Sequence, residues 1–132
     1  MHSTDYTNTF IEVAEDCKAE CGKIPPEKKD RTIARMQYDM LKNNPYTFTS
    51  DEVIFSVYAE KNDIEKTELE KIEFFSKGQA CLRSSPLGKT YGWGIHYNDK
   101  SKIAIYAMES GEYRRFKNDT GLKHIKAMKS SR

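Results

Sequence analysis

The chain lacks most of the features that announce a function. Its longest apolar clusters, Val53-Ile54-Phe55 and Ile103 to Met108, fall far short of the ~18 residues that cross a bilayer. No membrane partner is therefore expected. The opening Met1-His2-Ser3-Thr4-Asp5 has neither the basic start nor the apolar stretch of a secretion signal, which predicts a soluble, cytoplasmic protein. Cysteine is scarce and odd in number, three in 132 residues, too few for a disulfide framework. No GxSxG, P-loop or HExxH pattern occurs, and no cofactor is predicted. Neither a repeat nor a low-complexity linker divides the chain, whose length suits a single domain over residues 1–132.

Net charge is also small, at +2. Its distribution is uneven, however. Residues 1–82 carry 11 basic and 16 acidic side chains, whereas residues 83–132 carry 11 and 4. Such segregation marks a surface for an anionic partner, or two halves that neutralise each other on folding.

What is present is an alternation of helical and strand patterns. Aromatic residues make up 11% of the chain, against the poverty of aromatics in disordered segments. Thr9 to Ala14 reads as a strand. Gly22 and Pro25-Pro26 keep the next segment irregular. Arg31 to Asn43 reads as a helix with Asp30 as N-cap and Ile33, Met36, Met40 and Leu41 at helical spacing. Thr49-Ser50-Asp51-Glu52 resembles a capping box. It favours a helix from Asp51 to about Lys61 with Val53, Ile54, Val57 and Tyr58 inward, although the β-branched residues leave a strand open. Glu65 to Ser76 is a further helix, with Leu69, Ile72 and Phe74 or Phe75 inward. Tyr91 to Asn98 and Lys102 to Met108 read as a hairpin joined by a polar loop. Ser110 caps a short helix over Glu112 to Asn118, and Leu122 to Lys129 reads as a last strand. The pattern predicts an α+β domain: a mainly antiparallel sheet of about four strands with three or four helices packed on it.

The stretch from Phe75 to Asn98 holds the most chemistry per residue. Its polar groups stand on a glycine-spaced loop that leads into a strand, a common setting for a site. Cys81 is a candidate nucleophile with His96 as base, or else a small buried residue. Arg83 and Lys89 are candidate anion contacts beside Tyr91 and Trp93. Strand alternation puts Trp93, Ile95 and Tyr97 on one face and His96 on the other, and Trp93 also reads as core. The basic residues Arg114, Arg115, Lys117, Lys123 and Lys126 offer a nucleic-acid surface. Alternation splits the lysines of the last strand between its faces, which equally describes a solvated sheet edge. Cys17 and Cys21 are too few for a zinc site, which needs four ligands, and His2, His96 and His124 stand singly. No metal is predicted.

Two blocks carry a resemblance. One is the opening Met1-His2-Ser3-Thr4-Asp5-Tyr6 with Asn8 to Cys17. The other is Cys81-Leu82-Arg83-Ser84-Ser85-Pro86-Leu87 with Tyr91 to His96. The Ile24-Pro25-Pro26 turn and Tyr46 to Asp51 fit the same pattern. Together they resemble a family of small bacterial cytosolic proteins of unknown function. The resemblance implies a bacterial source and carries over no catalytic role.

The leading expectation is a noncatalytic module that binds an anionic small molecule or partner through residues 81–96, with Arg83, Lys89, Tyr91, Trp93 and His96 as contacts. The alternatives are a nucleic-acid-binding protein that uses its basic C-terminal half, and a small enzyme with Cys81 as nucleophile.

Overall fold

In a computed structural model of the chain, described for residues 2–130, four strands form one mixed sheet. They are β1 (Thr9–Glu12), β2 (Trp93–Tyr97), β3 (Ile103–Ala107) and β4 (Lys123–Lys126). The order across the sheet is β3-β2-β1-β4. β2 pairs antiparallel with both neighbours, and β4 alone runs parallel to β1. The helices are α1 (Ile33–Asn43), α2 (Ser50–Lys61), α3 (Glu68–Phe74), α4 (Pro86–Lys89) and α5 (Gly111–Lys117). The architecture is α+β, mostly antiparallel, as the sequence predicts. The additional helix is α4, a single turn in the stretch read as a loop. Ser85 caps it by accepting from Leu87 N–H, and Pro86 stands in its first turn, where a missing N–H costs nothing.

Pleating divides the sheet into two covered faces. Ile11, Trp93, Ile95, Tyr97, Ile103 and Ile105 share one face and pack against Tyr38 and Leu41 of α1, Val53 of α2, and Leu82 and Leu87. This is the main core. Phe10, Gly94, His96 and Tyr106 share the other face, which α5 covers with Tyr113 and Phe116. Gly94 permits that approach: a Cβ there would lie 2.6 Å from the Tyr113 ring and 2.7 Å from Phe10.

The caps decide where the helices start. Thr49 and Glu52 form the predicted capping box, each side chain accepting from the other's backbone N–H at 3.1 Å. It settles residues 51–61 as helix. α1 begins later than predicted, because Thr32 rather than Asp30 accepts from Arg35 N–H.

Two buried faces differ from expectation. α2 is enclosed on more than one side, with Val53 in the main core and Phe55 and Ala59 in a second cluster with Phe75. Its Tyr58, expected inward, is 38% exposed. On α3 the expected inward residues Leu69 and Ile72 are 80% and 52% exposed. That helix is only seven residues long and has no buried residue. Its anchorage comes from Phe74 and from Phe75 just past its end.

Candidate functional site

A groove of about 550 Å³ opens beside the helices. Three elements and one loop build it. Ile33 and Gln37 come from α1, Ile54, Val57, Tyr58 and Lys61 from α2, and Phe74 from the end of α3. The segment from Gln79 to Pro86 closes the remaining side with Cys81, Ser84 and Ser85. Aliphatic and aromatic side chains make the walls, and polar groups lie at set points. Ser85 is buried and its hydroxyl donates to Gln37 Oε1 at 2.5 Å. Lys61 stands at one rim, where its ammonium donates to the Arg31 carbonyl at 2.9 Å.

Behind the groove the N-terminal segment crosses the start of α2. His2 N–H donates to the Phe75 carbonyl at 2.9 Å. The buried Asp51 carboxylate accepts from Ser3 Oγ, Thr4 N–H and Thr4 Oγ1, each at 2.7 Å. Asp5 accepts from Ser50 Oγ at 3.0 Å and Asp51 N–H at 2.9 Å. Burial nevertheless holds the Asp5 carboxyl above its ordinary range, with Asp51 adding repulsion. The segment then brings the Tyr6 hydroxyl to 3.4 Å from Cys81 Sγ. That hydrogen bond, followed by burial, pushes Tyr6 up to about 12.

The residues predicted from sequence are distributed differently. Cys81 lines the groove, but His96 lies on the opposite face of the sheet, so the two form no nucleophile–base pair. Instead His96 Nδ1 meets Tyr46 Oη at 2.8 Å, and the imidazole stacks on Phe116 with centroids 4.0 Å apart. Tyr46 Oη in turn lies 2.9 Å from Tyr106 Oη. Burial, with help from Arg115, draws His96 below its ordinary value against the pull of Asp119. Trp93 is core rather than an aromatic wall: it is 6% exposed, meets Tyr38 edge-on, and donates Nε1–H to the Lys23 carbonyl at 2.8 Å. Arg83 donates Nε–H to the Lys126 carbonyl at 2.8 Å. Lys89 sits at a separate hollow with Asp16, Lys18 and Thr90. The Tyr91 carbonyl accepts from Lys23 N–H at 2.8 Å. Alternation along β2 and the helical turn before it send these five side chains apart.

The basic residues divide between two elements. Arg114, Arg115 and Lys117 are exposed on α5. Lys126 and Lys129 pair with the Glu15 carboxylate at 3.2 and 3.3 Å, and Lys123 lies over the Tyr6 ring at 5.8 Å. Part of the segregated charge is thus matched by the acidic half of the chain. Cys17, Cys21 and Cys81 are all free thiols. Among the described residues no three His, Cys, Asp or Glu side chains gather at metal-binding spacing.

Sequence reasoning missed Gln37, Ile54, Val57, Lys61, Phe74 and Gln79 as lining residues. They come from separate elements and share no motif. The Tyr6–Cys81 contact spans 75 positions, although both residues lie inside the two blocks that carry the resemblance.

No helix among the described residues is long and apolar enough to cross a membrane. Comparison with curated proteins and with solved structures finds no match to this chain. The model of a family described as a family of unknown function (DUF6157) matches residues 1–132. The chain belongs to that family.

Proposed function

We propose that the protein is a binding module for a small molecule with an apolar body and an anionic end, held in the groove between α1, α2, α3 and residues 79–86. One observation carries this reading: a hollow of about 550 Å³ with apolar walls and a few fixed polar groups. Pockets for small ligands fall in the range of roughly 300–1,000 Å³ and have this composition. Ile33, Ile54, Val57 and Phe74 would cover the ligand's body. Lys61 at the rim would meet a carboxylate, and Gln79 and Ser84 would add hydrogen bonds. The anion contact therefore passes from Arg83 and Lys89 to Lys61. Three free thiols suit a reducing compartment, so we place this activity in the cytoplasm, and the resemblance of the two sequence blocks points to a bacterium.

A thermal-shift panel of medium-chain and aromatic carboxylates tests the reading. A ligand at a hundredfold excess over its dissociation constant adds about 2.7 kcal/mol, which raises the melting temperature by several degrees. Ile54→Trp, which fills the groove, should abolish the shift. Lys61→Met should erase the preference for a carboxylate over the matching alcohol. If every compound leaves melting unchanged, or if the shift persists in Ile54→Trp, the groove is not a binding site.

A further inference from the structure

Two polar side chains of the groove are buried, Gln37 at 5% and Ser85 at 3% exposure. They are tied to each other. The Ser85 oxygen accepts from Leu87 N–H at 3.2 Å as the cap of α4, so its own O–H must donate. The acceptor is Gln37 Oε1 at 2.5 Å. That bond fixes the amide, with its oxygen turned to Ser85. The amide nitrogen carries two N–H groups and has no hydrogen-bond partner among the described residues. Nor is it sealed in the packing, and the surface that Gln37 keeps lies in the groove wall. Other polar groups of the wall already donate within the protein. Ser84 Oγ gives to the Cys81 carbonyl at 2.9 Å, Gln79 Nε2 to the Phe74 carbonyl at 2.8 Å, and Lys61 Nζ to the Arg31 carbonyl at 2.9 Å. A ligand body that covers the Gln37 nitrogen without offering an acceptor leaves a buried donor unmet, and that lowers affinity.

We propose that the groove selects a carboxylate with a carbonyl oxygen part-way along its apolar body, and that Gln37 Nε2–H donates to that oxygen. The inference rests on the binding reading above and adds the class of ligand to it. A plain hydrocarbon body suits Ile33, Ile54, Val57 and Phe74 but not the amide. A carbonyl suits both, because it accepts a hydrogen bond and brings no donor of its own that needs a partner. The spacing is set by α1. Lys61 is held at the Arg31 carbonyl, ahead of the helix, and Gln37 stands one turn past Ile33, about 6 Å along the axis. The carbonyl therefore lies several carbons from the carboxylate.

Isothermal titration of the full chain tests this, with medium-chain carboxylates that carry a ketone at successive positions, each compared with the plain acid of the same length. One mid-chain position should bind more tightly than its neighbours. At that position the affinity ratio of ketone to plain acid should be about tenfold larger in the wild-type chain than in Gln37→Met, a coupling of about 1.4 kcal/mol. Gln37→Met keeps an unbranched side chain and removes the amide. An equal ratio in the folded variant, or a wild-type series in which ketone position makes no difference, would overturn the selection of a carbonyl while leaving the groove a site for plain acids. Binding of neither class would overturn the groove reading itself, and this inference with it. If Gln37→Met does not fold, the position series in the wild-type chain still decides.

Discussion

Tyr6 and Cys81 are 75 positions apart in the chain, yet the phenol oxygen lies 3.4 Å from the sulfur. The contact exists because Asp51 and Asp5 tie residues 3–5 to the start of α2. The first turn of that helix presents free backbone N–H groups and a partial positive charge, which suit an acidic side chain.

The strap should therefore fail with its anchor. Asp51→Ala removes the acceptor of three hydrogen bonds, two of them fully buried. Hydrogen bonds to a charged group contribute about 1.5–3 kcal/mol each, with losses that overlap. Urea unfolding of Asp51→Ala should show a loss of about 3 kcal/mol. A loss within the error of the measurement would mean that the strap is not held this way.

His96 should make the fold sensitive to mild acid. Its folded pKa lies below the ordinary 6.5, so the unfolded chain binds the proton more readily. Stability is then full above 6.5 and declines as pH falls through 6.5 towards the folded value. His96→Phe keeps a ring against Phe116 and should flatten that part of the curve. Urea midpoints measured in steps down through this window check it. An unaltered slope in the variant would assign the sensitivity to another group.

Gly94→Ala should loosen the contact between α5 and the sheet. The added Cβ would lie 2.6 Å from a Tyr113 ring carbon and 2.7 Å from Phe10, and both rings sit in packed surroundings. Overpacking of this kind costs about 1–3 kcal/mol. Thermal unfolding should show a clearly lower midpoint, and a midpoint equal to wild type would show that the helix moves without cost.

Trp93 is the single tryptophan, so its fluorescence reports one place. At 6% exposure against Tyr38, it should emit to the blue of the unfolded chain and resist quenching by iodide. Groove ligands should leave its emission unchanged, because Trp93 does not line the groove. Strong iodide quenching in the native protein would contradict its place in the core.

Local signals suffice where one short segment contains the whole interaction. The Thr49–Glu52 box, the Ser110 cap of α5 and the Asn98–Ser101 loop between β2 and β3 each close within four residues. The opposition of Trp93 and His96 across the sheet was legible too, since it needs only the period of a strand. That opposition already argued against gathering the two in one site. The inward faces of α2 and α3 were misread because periodicity shows that a stripe exists but not what it meets. On α3 Leu69 and Ile72 lie on a face that no other element covers, while Phe75 just past the helix end is fully buried.

From sequence alone followed the α+β class, most of the element types and the segregation of charge, because these rest on contacts between near neighbours or on composition. The parallel pairing of β4 with β1, the groove, and the contacts of Tyr6 with Cys81 and with Tyr97 were decided only in the folded chain. Each depends on which distant surfaces bury each other. That choice minimises exposed apolar area over the whole molecule and leaves no trace in the spacing of any one segment.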